Sequence, residues 1–376
     1  MKKTKYGCIC LIAALLLSLL VGCGTADNGQ NNSEAVDTEL STETVIETES
    51  ETEEEPEPVV STVTITATGD CTLARSYTHS YSGSFTEYYD AYGETYFFEN
   101  FKDVFEQDDI TLINLECVFS DSNDRVDKAF NFKGDLTYTG ILTSSSVEAC
   151  SLGNNHIIDY GTEGMEDTMA VLEDAGVTYG FNETIGYYIT KDGLKVAIVS
   201  TSVLASSRAW EHYVTEGTQL AREQGADLVV VCCHWGIEGD HYPTEYQREL
   251  GHKLIDLGAD LVVGNHPHVL QGIEEYNGKI IIYSLGNFSF GGNRNPSDKN
   301  TAVYQQTFTF VDGVLQADIT AKIIPSRLSG HNGYNDYQPI IAQGEQAATI
   351  INKMNQYSAN YSGVYFDEEG TLLIKE

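Results

Sequence analysis

The feature that most constrains this chain is an apolar strand pattern that ends in two histidines. Residues 261–263 form an apolar run, and Gly264, Asn265 and the sequence His-Pro-His at 266–268 follow it. Short runs rich in β-branched residues indicate a strand covered on both faces. Neutral imidazoles are good ligands for Zn, Mn or Fe, so this strand end is a candidate metal site.

Four other strand-like runs also end in residues of ligand type. Val63–Thr68 precedes Asp70, Asp109–Leu115 precedes Glu116, Cys150–Gly153 precedes Asn155 and His156, and Asp227–Cys233 precedes His234. Helical patterns alternate with these runs, at Gly164–Ala175, Thr215–Gln224 and Thr244–Leu257. This order predicts an α/β fold whose sheet is covered by helices on both faces. Sites in such folds gather at the carboxyl ends of strands, so we expect all these side chains to converge there.

The predicted set suits one or two divalent ions, Mn, Fe or Zn. We predict that Asp70, Glu116, Asn155, His234, His266 and His268 are the ligands. Two ions can share a carboxylate, activate water and hold the oxygens of a displacement.

Four further residues are candidates for the chemistry around such a centre. His156 is predicted to protonate a leaving group, with Asp159 orienting it; the alternative for Asp159 is a helix N-cap. Arg75 is predicted to anchor a substrate carboxylate or phosphate, or to form a structural ion pair. Glu238 is predicted to contact substrate or to hold His234, and its alternative is a solvated loop acid.

The amino-terminal segment is typical of a bacterial lipoprotein signal peptide over residues 1–23. Three lysines precede an apolar run at 9–21, and the segment closes on Leu-Val-Gly followed by Cys23. We therefore expect lipidation of Cys23 and an anchor at the outer face of the bacterial cytoplasmic membrane. The alternative is an ordinary secretory peptide that contains this cysteine.

Residues 24–58 are predicted to form a disordered acidic tether. They contain twelve acidic residues, no lysine or arginine, and no apolar periodicity. The whole chain has a formal net charge of −35, and most of it lies outside this segment. Such an acidic domain argues against nucleic acid as a partner. We expect a main domain at 59–325 and an extension at 326–376 that packs on it.

Five cysteines follow the predicted lipidation site, and their odd number argues against a disulfide framework. We interpret them as small buried hydrophobic residues rather than thiolate ligands. They are Cys71, Cys117, Cys150, Cys232 and Cys233.

Taken in order, the polar motifs resemble those of the CapA family of poly-γ-glutamate capsule-synthesis proteins, which are related to calcineurin-like metallophosphoesterases. The matching pieces are Gly69-Asp70 with Arg75, Asn114-Leu115-Glu116, Asn154-Asn155-His156 through Gly161, His234-Trp235-Gly236 with Glu238, Gly264 to Gln271, and Tyr283 to Phe288. The resemblance implies a four-layer, metallophosphoesterase-like β-sandwich flanked by helices. It also implies that Asn155, His234 and His266 hold one ion, with Glu116 bridging. Asp70 and His268 would hold the other.

Two departures from the wider metallophosphoesterase pattern affect the second of these ions. The Asp-x-His motif of that superfamily has Thr72 at its third position here, and only Glu116 stands for the Gly-Asp-x-x-Asp motif. We therefore expect the site formed by Asp70 and His268 to be weak or empty.

The resemblance implies a surface-anchored protein of poly-γ-glutamate or other envelope-polymer synthesis, export or attachment. It would have a metal-dependent hydrolase or transferase site. The expected partners are an anionic polymer such as poly-γ-glutamate, the membrane through the lipid, and capsule-synthesis membrane proteins. The alternatives are a non-catalytic polymer-binding or assembly subunit and a general metal-dependent phosphoesterase.

Overall fold

Two β-sheets form the centre of the structure, a computed structural model that describes residues 57–77, 81–361 and 363–375. The strands are β1 (Val60–Thr72), β2 (Arg75–Ser76), β3 (Ile110–Leu115), β4 (Val118–Phe119), β5 (Phe132–Gly134), β6 (Ala149–Ser151), β7 (Thr178–Gly180), β8 (Gly186–Ile189), β9 (Lys195–Ser202), β10 (Leu228–His234), β11 (Leu261–Asn265), β12 (Ile273–Tyr276), β13 (Lys279–Ile282), β14 (Asn287–Phe290), β15 (Asn300–Val311), β16 (Val314–Leu315), β17 (Thr320–Arg327), β18 (Ile340–Ile341), β19 (Val364–Phe366) and β20 (Leu372–Ile374). The α-helices are α1 (Phe85–Tyr92), α2 (Lys102–Phe105), α3 (Thr139–Thr143), α4 (Gly161–Asp174), α5 (Glu211–Glu223), α6 (Glu245–Asp256) and α7 (Glu345–Ser358).

The strand order places the parallel strands side by side in each sheet. The first sheet runs β18-β17-β15-β1-β3-β6-β7, with β14 also beside β1 and β16 beside β15. The second runs β12-β13-β11-β10-β9-β8. Strands β1, β3, β6 and β7 are parallel, and so are β13, β11, β10 and β9. The carboxyl ends of the parallel strands therefore share one edge in each sheet.

Alternating side chains show that the two sheets pack face to face. On β10, Val230 packs in one cluster with Val63 of β1, whereas Val231 packs in another with Val214 of α5 and Leu254 of α6. The outer face of the first sheet packs on α4 and an aromatic segment before β3. The layers are helix, sheet, sheet, helix, which confirms the predicted four-layer α/β sandwich.

The helices predicted by periodicity form at α4, α5 and α6. Thr244 caps α6, and a capping box joins its side chain and backbone to Gln247. The dipeptide Asp312-Gly313 between two alternating runs predicts a hairpin, which is present between β15 and β16 with φ of 51° and 77° at the two turn residues. These features were predictable because each depends on neighbours in the sequence.

From its composition, rich in Tyr, Ser and Gly, the sequence from Tyr77 to Tyr96 is predicted to be a loop. That prediction is wrong for the described part, which contains α1. The Ser84 hydroxyl accepts a hydrogen bond from the Glu87 amide, and Phe85 stacks on Phe97 with ring centroids 4.2 Å apart. The Ser-x-x-Glu pattern is a helix-start signal. The composition rich in Tyr, Ser and Gly concealed it.

The residues after 326 contribute to the same core. Ile350, Met354 and Phe366 lie in the cluster between the sheets, and β18 pairs with β17. The domain boundaries at 58 and 325 stay predictions. The predicted signal peptide, Cys23 and nearly all of the predicted tether lie outside the described residues. In the ranges that are described, no helix combines the length and apolar character needed to cross a bilayer.

The five cysteines are free and buried, as predicted. Burial raises the pKa of Cys71 to about 12, so its thiol stays protonated. These side chains fill the core around the strand ends instead of offering thiolates.

Candidate metal centre

The side chains predicted as ligands come from both sheets and meet at their carboxyl edges. Asp70 lies near the end of β1 and Glu116 follows β3, whereas His234 ends β10 and His266 follows β11. Ligand atoms of Glu116, His266 and His268 lie within 4.8 Å of one another, close enough to share an ion.

Glu116 lies at the centre of this group and is fully buried. Its Oε1 is 3.4 Å from Nε2 of His234 and 3.7 Å from Nε2 of His268. Neither carboxylate oxygen has a hydrogen-bond partner among the described residues. Burial raises the pKa of Glu116 well above its ordinary value, against the opposing effect of His268. An unpartnered buried carboxylate destabilises a fold unless a proton or a cation joins it.

Three more buried ligand atoms lack hydrogen-bond partners within the described ranges. They are Nε2 of His234, Nδ1 of His266 and Oδ1 of Asn155. Burial lowers the pKa of His234 well below its ordinary value and that of His266 to about 4. Both imidazoles are therefore neutral at physiological pH, which is the form that binds a metal. This donor set fits a divalent Mn, Fe or Zn ion.

His268 is held differently, by two partners on one ring nitrogen. Its Nδ1 lies 3.0 Å from Oδ2 of Asp70 and 3.0 Å from Oδ1 of Asn287. Burial alone would lower the pKa of His268, but the carboxylates of Glu116 and Asp70 raise it to about 10. Asp70 also accepts a hydrogen bond of 2.9 Å from the Asn114 amide. Asp70 and Asn287 thus orient His268 so that its Nε2 lies near Glu116.

The backbone at the end of β11 is strained in a way that fits a preorganised site. His266 and His268 have φ of 99° and 58°, in the left-handed region that non-glycine residues rarely adopt. Each such residue costs on the order of 1–3 kcal/mol, so the surrounding structure must hold it. Nearby, β1 and the segment before β14 pack closely, because a Cβ at Gly69 would lie 2.1 Å from the Gly286 carbonyl oxygen.

His156 belongs to a separate hydrogen-bonded group beside the predicted ligands. Its Nδ1 lies 2.7 Å from Oδ2 of Asp159, and Nζ of Lys128 donates to Oδ1 of Asp159 at 2.7 Å and to the Asn155 carbonyl at 2.8 Å. Burial lowers the pKa of His156, although Asp159 opposes that effect. The N-cap alternative for Asp159 is wrong, because Tyr160 occupies that position of α4.

A cavity of about 430 Å³ opens beside these groups. Its lining includes His156, Glu238, His268 and Asn287, with aromatic walls from Phe132 and Phe290. The exposed Glu238 therefore reaches this cavity.

Arg75 is absent from this lining, in contrast to the prediction that it anchors a substrate. Its guanidinium lies 4.2 Å from the Tyr77 ring centroid, and its Nε is buried without a hydrogen-bond partner in the described part of the chain. The structural ion pair considered as the alternative is not formed with any described residue. Its role in binding stays a prediction.

Three residues without a predicted role occupy important positions: Asn114, Lys128 and Asn287. Asn114 and Asn287 lie within the motifs that carry the family resemblance, so those motifs could have identified both residues. Lys128 lies in an irregular loop and had no such signal. Thr72, which replaces the expected histidine, has a buried hydroxyl with no partner among the described residues.

Comparison with known proteins identifies similar chains. The model of the family described as bacterial capsule synthesis protein PGA_cap matches residues 64–292. The PGA biosynthesis protein CapA of Bacillus subtilis (strain 168) is 31% identical over 219 residues, covering 53% of this chain and 57% of that protein. The capsule biosynthesis protein CapA of Bacillus anthracis is 29% identical over 223 residues, covering 53% and 54%. The matches thus span little more than half the length of these relatives.

Two solved structures also align with this chain. A hypothetical protein from Thermus thermophilus gives a TM-score of 0.44 at 16% identity, covering 70% of this chain and 99% of that one. A 5'-nucleotidase from Candida albicans SC5314 gives a TM-score of 0.39 at 13% identity, covering 64% and 46%. Neither likeness bears on the chemistry of the site.

Proposed function

Because the chain belongs to the bacterial capsule synthesis protein family, we propose that it acts in the synthesis, export or attachment of poly-γ-glutamate or another envelope polymer. The family lies within the metallophosphoesterase-like superfamily. Action on a surface polymer agrees with the lipoprotein signal pattern that precedes the folded domain in the sequence.

The proposed site is a centre for one or two divalent ions, Mn, Fe or Zn. The observation that carries it is the group of buried ligand atoms without hydrogen-bond partners, on Glu116, His234, His266 and Asn155. Asn155, His234 and His266 would hold one ion with Glu116 bridging, and Asp70 and His268 would hold or support the other. A bound ion of this kind polarises an oxygen of the substrate and makes water a better nucleophile.

The protein side chains around that centre would position the substrate and move a proton. His156 would protonate the leaving group of an amide, ester or phosphoester. Asp159 and Lys128 fix its ring, because both lie within hydrogen-bond distance of Nδ1 of His156. Lys128 also donates a hydrogen bond to Asp159. Glu238 and the aromatic walls of the cavity would receive the polymer segment next to the reacting bond.

The test combines metal analysis with a substrate screen on the purified chain. We expect one or two equivalents of Mn, Fe or Zn, and metal-dependent cleavage or transfer with a γ-glutamyl substrate. Both should be lost in His234→Ala and kept in His252→Ala, a histidine bound to Glu274 instead. Metal uptake no greater than that of the His234→Ala protein would contradict the proposed centre.

A non-catalytic role in polymer binding or assembly is the second candidate, favoured by Thr72 in place of the expected histidine. It predicts that γ-glutamate oligomers bind without turnover and that a His156→Ala, His234→Ala protein keeps its biological function. Cleavage of a generic phosphodiester in the same screen would instead favour a general phosphoesterase.

We also propose attachment to the outer face of the cytoplasmic membrane through a lipid on Cys23, with residues 24–58 as a spacer. The support is the sequence alone, because these residues lie almost entirely outside the described ranges. Labelling cells with a fatty-acid analogue should mark the wild-type chain and the Cys10→Ala control but not Cys23→Ala. Equal labelling of all three proteins would rule out this anchor.

A further inference from the structure

A second polar cavity adjoins the cavity of the candidate metal centre. Its volume is about 280 Å³, and both cavities are lined by Pro296, Ser297 and Asp298. Its other lining residues are Asn295, Lys299, Asn300, Arg327 and Asn332. A chain that occupies the first cavity could therefore continue across the shared wall into a space that contains two cationic side chains.

The two cations are neighbours: Arg327 ends β17, and Lys299 directly precedes the adjacent strand β15. Asn300 of β15 pairs with Arg327 of β17, and the Leu328 amide donates to the Lys299 carbonyl. Both residues are largely buried, with exposed fractions of 7% for Lys299 and 8% for Arg327. Burial, and then the charge of Arg327, lower the pKa of Lys299, while Asp336 opposes this. The site thus holds two like charges that an anion between them would stabilise.

Neither cation forms an ion pair with a carboxylate in the described ranges. Nζ of Lys299 donates to the Tyr334 carbonyl at 2.9 Å, and one guanidinium nitrogen of Arg327 donates to Oδ1 of Asn332 at 2.7 Å. Both partners are neutral. A largely buried cation that lacks a direct ion pair is unfavourable, which points to an anionic ligand.

The acid on the shared wall is already engaged. Oδ1 of Asp298 accepts from the Asn300 amide at 2.9 Å, and its Oδ2 lies 3.8 Å from Nζ of Lys353. Its charge is therefore partly balanced by groups outside the cation pair. In a chain with a net charge of −35, this arrangement places two cationic side chains beside the candidate centre.

We propose that Lys299 and Arg327 form a carboxylate subsite, which binds a free carboxylate of the anionic polymer while the adjoining cavity receives the neighbouring unit. Arginine suits this role because its planar guanidinium can bind a carboxylate through two hydrogen bonds. This inference rests on the proposed function and extends it. Both cations lie beyond the residues 64–292 that match the family model.

The test is calorimetric binding of a synthetic γ-glutamyl hexamer to the full chain in the presence of a chelator. A hexamer whose free α-carboxyl groups are amidated serves as the uncharged comparison. Arg327→Gln and Lys299→Met should each weaken binding of the acidic hexamer by about tenfold, because a charge-assisted contact is lost. The amidated hexamer should bind weakly and equally to all proteins.

Lys322→Gln is the matched control, because Lys322 is an exposed cation on the same strand β17 and its loss changes the net charge equally. It should leave binding unchanged. Thermal unfolding verifies that each variant is folded. Unchanged binding of the acidic hexamer by both folded variants, or no binding by the wild type, would overturn the subsite.

Two further arms identify the source of the anion and separate this inference from the proposed function. Displacement of the hexamer by an equal concentration of inorganic phosphate would overturn the assignment to polymer carboxylates in favour of a general anion site. Because the chelator removes metal, the binding result does not depend on the candidate centre. Failure of metal uptake would thus contradict the proposed chemistry but not the subsite. Failure of hexamer binding would contradict the subsite but not the metal centre.

Discussion

Acids at the amino edge of the central sheets and Glu116 at the carboxyl edge differ in their hydrogen bonding. At the amino edge, acidic side chains accept backbone N–H groups at the starts of strands: Asp109 from Thr64 at 2.8 Å, Glu148 from Thr111 at 2.8 Å, Asp227 from Lys195 at 2.7 Å and Asp260 from Val229 at 2.9 Å. At the carboxyl edge, both oxygens of Glu116 lack such donors among the described residues. The same residue type is structural at one edge and available for a ligand at the other.

The difference follows from the geometry of parallel strands. The first N–H groups of a strand have few partners in the ladder, so a nearby carboxylate that accepts them stabilises the fold. Glu116 instead lies near imidazole nitrogens of His234 and His268. Unsatisfied lone pairs, rather than the presence of acids, therefore mark the candidate centre.

The largest effect should come from removing an unpartnered ligand atom. His266→Ala should weaken binding of Mn or Zn by more than about 100-fold, since loss of a direct ligand exceeds the 10–100-fold cost of losing a supporting residue. Metal titration by calorimetry measures this. His252→Ala is the control, because its Nε2 already lies 3.0 Å from Glu274. Equal metal affinities of His266→Ala and His252→Ala would contradict the assignment of His266 as a ligand, and with it the contrast between the edges.

The next effect concerns stability at the amino edge. Asp260→Ala removes the acceptor of the Val229 amide and a 2.9 Å contact with Nζ of Lys279, as well as the pairing with Arg222. It should lower the free energy of unfolding by about 2 kcal/mol. Denaturant unfolding measures the loss, and metal affinity should not change. A fall in metal affinity without loss of stability would contradict a purely structural edge.

The sequence predicted the strand ends of the candidate centre because apolar periodicity and the residues that follow it are local features. Asp70, Glu116, His234 and His266 all lie where those patterns placed them. It could not show that Asp70 and Asn287 share Nδ1 of His268, because that contact depends on the packing of β1, β11 and β14.

Other features depended on long-range pairing and were missed for that reason. The neighbouring positions of Lys299 and Arg327 arise from the register of an antiparallel pair, which no local pattern specifies. Lys128 reaches Asp159 from a loop without periodicity. The aromatic segment around α1 was misread because its composition resembled a loop, whereas burial of Phe85 and Phe97 against the sheet determines its structure.

A smaller effect should come from the residues that orient His268. Asn287→Ala removes one of the two groups at Nδ1 of His268 and leaves Asp70 in place. Metal affinity should fall by about tenfold, the low end of the range for supporting residues. Asn277→Ala, at an exposed turn, is the control. An unchanged affinity would show that Asp70 alone sets the orientation of the ring.

The smallest predicted effect concerns Asp108, an acid at the amino edge that is not fully hydrogen-bonded. Its Oδ1 is buried without a hydrogen-bond partner in the described residues, and burial raises its pKa to about 7. The unfolded carboxyl ionises near 3.8. The folded state therefore binds more protons between these two values, and stability falls as pH rises from about 4 to 7.

Asp108→Asn should remove that dependence, because an amide of the same shape stays neutral. Its free energy of unfolding relative to wild type should rise from pH 4 to 7 and stay constant above, reaching on the order of 1 kcal/mol after solvent screening. Denaturant unfolding across this range, with Asp192→Asn at an exposed turn as control, measures the difference. A parallel pH profile in Asp108→Asn and wild type would mean that Asp108 is solvated like an ordinary surface acid. Unpartnered buried oxygens would then be confined to the carboxyl edge, and the contrast between the edges would be sharper.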